Sequence, residues 1–285
     1  MDYGAPLRFG SFITPLAADP EATVRLAVAS EAAGLDLVTF QDHPYEPAYL
    51  DTVTLLSFVA GRTNRIGLAA NVHNLQLRPP AVLARSAASL DRLSGGRFSL
   101  ALGAGAIPDA AVGMGAPPST AGQRVSALEE ALGVIRALWD VDADTDVSLP
   151  GPFYPIPGAK RGPAPVRPIP IWLGAHRPRM LRIVGTLADG WLPSLERIGG
   201  PDAVVASHAA IDEAATAAGR DPRDIRRLLN VPPDAAQPER LADLALEHGF
   251  ATFILFSDDP AVLRAYGEEV APAVRERVAV ERARR

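Results

Sequence analysis

The amino-acid sequence predicts an α/β fold, a (β/α)8 barrel of the TIM type with a Pro/Gly-rich insertion around 141–169, and three observations carry that expectation. Short β-rich runs alternate with runs of helical period eight times along the chain. Prolines and capping acids start the helical runs, and glycines stop them. No G-x-G-x-x-G follows the first strand, as it would in an open, doubly wound, dinucleotide-binding sheet.

The elements follow in order. "RFGSFI" (8–13) is the first strand; Asp19-Pro20-Glu21 gives its helix an N-cap acid and an N1 proline, and Gly34 ends it. "DLVTF" (36–40) is the second strand, followed by "DTVTLLSFVAGRT", in which Leu55, Leu56, Phe58 and Val59 make an apolar face. "RIGLAANV" (65–72) is the third, and Pro79-Pro80 and Gly95-Gly96 bracket its helix. "RFSLALG" (97–103) is the fourth, and its helix carries Val125, Leu128, Leu132, Ile135 and Leu138 at helical spacing. After Trp139 the alternation breaks, because residues 142–170 carry eight prolines, and the segment reads as an insertion lying over one end of the barrel. Strands then resume at "PIWLG", "DGWLP", "RRLLNV" and "FATFILF", each with a helix after it, so residues 1–285 read as one barrel domain.

Composition excludes several classes of function. The 285 residues, 48% hydrophobic, suffice for a large buried core. With 28 basic against 33 acidic residues and a net charge of -5, no nucleic-acid surface is expected. The absence of cysteine removes disulfide and thiolate chemistry. No apolar run is long enough for a membrane span and the N-terminus lacks a signal-peptide pattern, so a cytoplasmic, membrane-free protein is expected. The single lysine, Lys160, sits in a Pro/Gly-rich loop, which leaves no desolvated strand lysine for Schiff-base catalysis.

In a barrel of this kind the working residues stand at the carboxyl ends of the strands. "TFQDHPYEPAYLDT" (39–52) puts Asp42, His43, Tyr45 and Tyr49 there, after the second strand. His73 follows the third strand and His176 the fifth, so three of five histidines converge on one rim; His208 and His248 fall in helices and read as surface or C-cap residues. Three rim histidines also suit a metal-dependent hydrolase, although no H-x-H or H-E-x-x-H spacing supports it. "LGAGA" strips side chains from the rim at Gly103, Ala104 and Gly105, either as a hinge or to let a flat or phosphorylated ligand approach backbone amides. "LGAHRPRM" places Gly174, Ala175, His176 and Arg177 at a helix start that Pro178 suits, where amides, dipole and guanidinium can meet a phosphate.

The assembled segments resemble the luciferase-like monooxygenase family of flavin- or F420-dependent oxidoreductases. The pieces that carry the resemblance are "AAGLDLVTFQDHP", "RPPAVLARSAASLDRLSGGRFSLALGAG", "LEEALGVIRALWD", "PIWLGAHRPRMLRIVGTLADGWLP" and "GFATFILF", in order over nearly the whole chain. The resemblance implies a planar cofactor, F420 or FMN, across the barrel mouth, with F420 favoured by the Asp42-His43 pair. His43 is then a catalytic residue at the cofactor-substrate interface, with Asp42 tuning it. Asn71-Val72 is then a non-prolyl cis peptide pressing on the ring, and Gly103, Ala104, Gly105, Gly174, Ala175, His176 and Arg177 hold the cofactor. Tyr45, Tyr49 and His73 are expected at the substrate. Sugar-phosphate dehydrogenases of the family carry an acid directly after the Gly-small-Gly segment, where this chain has Ala106, so an apolar or mixed organic substrate is expected instead. The family also implies a homodimer and, for some reactions, a separate flavin or F420 reductase as partner. A non-catalytic cofactor-binding barrel is the remaining alternative.

Overall fold

A computed structural model describes residues 1–284. Its main sheet is parallel throughout and runs in the order β3-β2-β1-β11-β10-β9-β8-β5-β4. The strands are β1 (Arg8–Ile13), β2 (Leu37–Phe40), β3 (Gly67–Ala70), β4 (His73–Asn74), β5 (Leu100–Gly103), β8 (Ile171–Leu173), β9 (Gly190–Trp191), β10 (Arg226–Val231) and β11 (Thr252–Phe256). The ladders β1–β2 and β1–β11 fix the register at Gly10↔Leu37 and Arg8↔Thr252. The ends of the sheet meet because Leu68 and Phe98 bridge in parallel, with Ser99 N–H donating to the Leu68 carbonyl at 2.9 Å. The eight predicted strands are all present, and the sheet counts nine because the third is broken in two.

The break falls at Asn71-Val72, and that peptide bond is cis. Pairing with β2 ends at Ala70 and pairing with β5 begins at His73, so the two residues between them leave the ladder as a bulge.

Strand pleating sorts the lumen into layers. Leu37, Ala69, Ala101, Trp172, Leu192, Leu228 and Ile254 pack together as an apolar plug inside the barrel. Two residues further along the same strands, the inward positions become Thr39, Asn71, Gly103, Gly174, Ser194, Asn230 and Phe256, polar or without side chain except for Phe256, which meets Phe12 edge-on. The plug is therefore the floor of a polar mouth. The opposite faces of the strands, with Val38, Leu68, Leu100, Ile171, Leu229 and Phe253 among them, pack under the surrounding helices as the larger core.

The helices are α1 (Pro20–Ala32), α2 (Thr52–Ala60), α3 (Pro80–Leu93), α4 (Pro108–Gly113), α5 (Ala121–Trp139), α6 (Pro178–Leu187), α7 (Leu195–Ile198), α8 (Pro201–Ala217), α9 (Pro238–Leu246), α10 (Pro260–Ala265) and α11 (Ala271–Arg284). Asp19 caps α1 as the sequence leads one to expect, and Asp51 and Asp259 cap α2 and α10 in the same way. Among the described residues no helix is long and apolar enough to cross a membrane.

The insertion differs from expectation in structure and placement. It contains a two-stranded antiparallel pair, β6 (Val147–Leu149) and β7 (Ile156–Ala159). Its tip is held by Glu130 of α5, which accepts the Phe153 and Tyr154 amides. Its return is held by Arg85 and Arg92 of α3, which donate to the carbonyls of Gly162, Lys160 and Ala164. It ends where Arg167 donates to Gly96 beneath the barrel. The segment is a strap down the flank, from mouth to base, because arginines of α3 supply donors and a glutamate of α5 an acceptor for a backbone that its prolines keep from regular pairing.

Candidate active site at the mouth of the barrel

His43 is half-buried just beyond β2, and its ring stacks near-parallel with Tyr45 at 5.4 Å and Tyr49 at 6.3 Å between centroids. Gln41 Nε2 donates to the Tyr49 hydroxyl at 3.1 Å, which fixes that wall. Burial, opposed by Asp42 and Glu46 and aided by Arg197, holds the His43 pKa below its ordinary 6.5. The imidazole is therefore neutral at neutral pH and able to accept a proton.

Asp42 does not reach the His43 ring. Its buried carboxylate takes two hydrogen bonds of 2.7 Å from Arg78, one of 3.0 Å from the Asn74 amide, and lies 3.4 Å from His73 Nδ1. Burial alone would raise its pKa, but Arg78 and His73 outweigh that and hold it well below the usual carboxylate range. The expected tuning of His43 by Asp42 is thus reduced to a through-space field, and Asp42 instead ties the β2 loop to the segment after the bulge. Arg78 extends the tie to Asp51, the N-cap of α2, at 2.6 Å.

The bulge is held from across the lumen. Asn71 and Asn230 exchange amide hydrogen bonds of 2.7 and 3.0 Å, with Thr39 and Ser194 at the edges of the same layer. Val72 stands beside Gly103 and Gly174, two of the glycines expected to approach a ligand. A Cβ on Gly103 would lie 2.8 Å from Val72 Cγ2, and one on Gly105 would overlap the Gln76 side chain at 2.0 Å. Gly103 makes room for the bulge and Gly105 for the Gln76 side chain, a protein-packing reason for both glycines alongside the ligand approach expected there. Gly174 leaves Val72 at ordinary contact distance.

Two other expectations move. His73 is 1% exposed, packed against Phe98 with Asp42 at its Nδ1, so the ring is under the mouth and cannot line a substrate chamber. Ala175 is buried, and its carbonyl accepts the Trp191 indole at 2.9 Å. Ala104 lines a small side pocket of about 100 Å3 with Gln76, Ser119, Arg124 and the strap residues Phe153 and Tyr154. His176 and Arg177 are exposed on the rim; partial burial first, then Arg197 and Arg177, lower the His176 pKa.

Arg197 in α7 acts on both His43 and His176, which makes it a rim residue that the sequence reading missed, as it missed Arg78 and Asn230. Asn230 had a visible signal, a polar residue two places after Leu228 in the apolar half of its strand. One of the two helix histidines also departs from expectation, while His248 lies part-exposed just past the end of α9. His208 is buried, not on the surface: Arg227 Nε donates to it at 3.1 Å, and Trp191 and Phe250 pack on it. Burial, reinforced by Arg227, pulls its pKa down to about 3. Among the described residues no three His, Asp or Glu side chains gather as a metal-ligand set, which removes the geometric basis for a three-histidine hydrolase.

The fold and this mouth define a (β/α)8 barrel whose working end combines a half-buried neutral histidine, an aromatic wall and a broken third strand. A model of the luciferase-like monooxygenase family matches residues 2–284, and the chain belongs to that family. It is 31% identical over 197 residues to an F420-dependent glucose-6-phosphate dehydrogenase of Kineococcus radiotolerans, covering 67% of this chain and 57% of that protein. An uncharacterized protein of Mycobacterium bovis is 33% identical over 59% of this chain and 64% of its own, so the chain spans less than two thirds of the curated relatives it matches. Among solved structures, an F420-dependent secondary alcohol dehydrogenase superposes with a TM-score of 0.83 at 18% identity, over 95% of this chain and 99% of that one.

Proposed function

We propose that the chain is an oxidoreductase that binds F420 at the barrel mouth and moves a hydride to or from an organic alcohol or carbonyl compound. The observation that carries the reading is His43, neutral and half-buried between two tyrosines, on a loop that Asp42 joins to the cis Asn71-Val72 bulge. The residues present fit a planar, anionic cofactor. Val72 offers an apolar surface beside the backbone of Gly174, the Asn71-Asn230 layer offers amide groups below, and His176, Arg177 and Arg197 supply donors and positive charge for a phosphate-bearing tail.

The cofactor, when bound, supplies the two-electron chemistry. The chain supplies the proton and the placement. His43 takes the hydroxyl proton of an alcohol, or returns it to a carbonyl oxygen, and the Tyr45-Tyr49 wall shields the exchange from water. Ala106 stands where the family's sugar-phosphate dehydrogenases carry their acid, so a substrate without phosphate is favoured despite the relative from Kineococcus. FMN with oxygen activation, fed by a separate flavin reductase, is the second reading; a solved long-chain alkane monooxygenase shares the fold with a TM-score of 0.78 at 15% identity. We further propose a homodimer joined through α2 and α3, where Phe58, Val82 and Leu93 are exposed.

Titrating the purified protein with F420 and with FMN separates the readings. Tight binding of FMN with none of F420 overturns the hydride-transfer assignment. With the cofactor identified, His43→Ala is expected to lower kcat by about 100-fold or more while moving the cofactor Kd by about threefold at most. The acidic limb of kcat/KM is expected below pH 6.5, because the lowered pKa keeps His43 able to accept a proton there. An unchanged kcat in His43→Ala removes His43 from the proton transfer, and cofactor binding without turnover of any alcohol or carbonyl compound returns the chain to a non-catalytic cofactor-binding barrel.

A further inference from the structure

The opposite pole of the barrel holds a second concave site. Beneath the apolar plug an open cup of about 410 Å3 is lined by Arg8, Arg65, Arg97, Arg167 and Arg226, with Asp36 as its one carboxylate. Such density of positive charge stands out in a chain of net charge -5.

Helix capping accounts for part of it. Arg97 spends its donors on the carbonyls of Ala60, Thr63, Ile66 and Ser94 and on the Thr63 hydroxyl, and Arg65 donates to the Glu31 carbonyl at the end of α1. Capping does not account for Arg8 and Arg226. Both occupy inward strand positions: Arg226 is two residues before Leu228 of the plug, and Arg8 pairs in register with Thr252, two before Ile254. Arg226 donates to Thr252 and to the carbonyls of Pro6 and Ala251, all neutral, and one arm of its guanidinium has no partner among the described residues. The Arg8 guanidinium has no hydrogen bond among the described residues, and that of Arg167 donates only to the carbonyls of Gly96 and Phe98.

The nearby acids do not balance these charges. Asp36 is engaged by the Phe9 amide and by Arg275. Glu31 is spent on the amides of Asn64, Arg65 and Ile66. Burial, reinforced by repulsion from Arg8 and only partly offset by Asp36, pulls the Arg226 pKa down to about 10. The base of a barrel of this kind ordinarily serves stability, yet five like charges gathered around a single lining carboxylate oppose it. A bound anion reverses that sign, and free guanidinium forks match phosphate oxygens.

We propose that the cup at the base of the barrel binds a phosphate-bearing small molecule through Arg8, Arg226 and Arg167, separately from the mouth. Cofactor-loaded protein, whose mouth is already filled, is titrated calorimetrically with inorganic pyrophosphate and with AMP, and its Tm is followed in parallel. Saturable binding and a rise in Tm are expected, and Arg8→Glu, at an exposed residue whose side chain makes no hydrogen bond among the described residues, is expected to raise the Kd about tenfold or more. Arg177→Ala at the mouth is expected to leave that Kd unchanged. Binding of pyrophosphate but not AMP assigns the cup to free inorganic anions, and binding of both to phosphate groups in general. No saturable binding of either ligand, equal affinity in Arg8→Glu, or loss in Arg177→Ala overturns the proposal, and none of these outcomes touches the assignment of His43.

Discussion

Asp42 and His43 are adjacent in sequence and do different work. The backbone turns between them so that one side chain is buried in an ion pair and the other stands in the mouth between two rings. The ion pair is strong because Arg78 meets both carboxylate oxygens in a region from which water is largely excluded. Arg78→Met leaves that buried charge with only the Asn74 amide and His73 beside it, and is expected to cost about 3 kcal/mol, read from urea unfolding at pH 7. The folded Asp42 pKa is lowered, so its contribution is fully present above its ordinary 3.8 and is lost as pH falls through the folded value. In the variant, burial raises the same pKa, so the deficit should narrow on acidification; a deficit independent of pH would show that Arg78 acts through packing alone. The pair Asp42-His43 was legible in the sequence, whereas the partner Arg78 was not, because a residue 36 positions away is brought near only by the ladder between β2 and β3.

At the level of elements, the third strand decides the shape of the mouth. Its break at Asn71-Val72 projects Val72 into space that Gly103 and Gly174 leave open, while Gly105 leaves room for Gln76. Gly103→Ala should therefore force Val72 aside and destabilise the fold by about 1–3 kcal/mol. Val72→Ala should remove most of that penalty, so the double variant Val72→Ala/Gly103→Ala is expected to be more stable than the two single effects added together. Additive effects in thermal unfolding would mean that Gly103 serves something other than the bulge. The glycines were readable as meaningful, but the reading assigned their space to a ligand, since a sequence shows that a side chain is missing and not which atom fills the gap. The strap shows the same limit. Eight prolines in residues 142–170 announced irregular backbone, and only the arginines of α3 and the glutamate of α5 determined that it runs down the flank.

The whole molecule is polarised along the barrel axis. An apolar plug separates a mouth of amides, aromatic rings and a neutral histidine from a base of arginines. The outer surface is divided as well, since α2 and α3 expose Phe58, Val82 and Leu93, the last at 82%. Two copies that bury this face against each other would remove it from water, so light scattering is expected to give a dimer. Phe58→Glu with Val82→Glu is expected to give a monomer with unchanged far-UV circular dichroism. A wild-type monomer at micromolar concentration would discard that interface.

The alternation of β and helical periods, the caps and the missing fingerprint determined the eight-stranded barrel from the sequence alone, because strand and helix periods and cap chemistry are local properties of the chain. The rim position of His43, Tyr45 and Tyr49 followed from the same local logic, since residues just past a barrel strand have one end of the molecule to go to. Burial was decided elsewhere. That His73 lies beneath the mouth, that His208 is enclosed by Trp191 and Phe250, and that five arginines from distant segments share one cup depend on closure of the sheet. Closure brings together side chains whose separation along the chain carries no trace of the contact, and burial and charge balance are properties of those contacts.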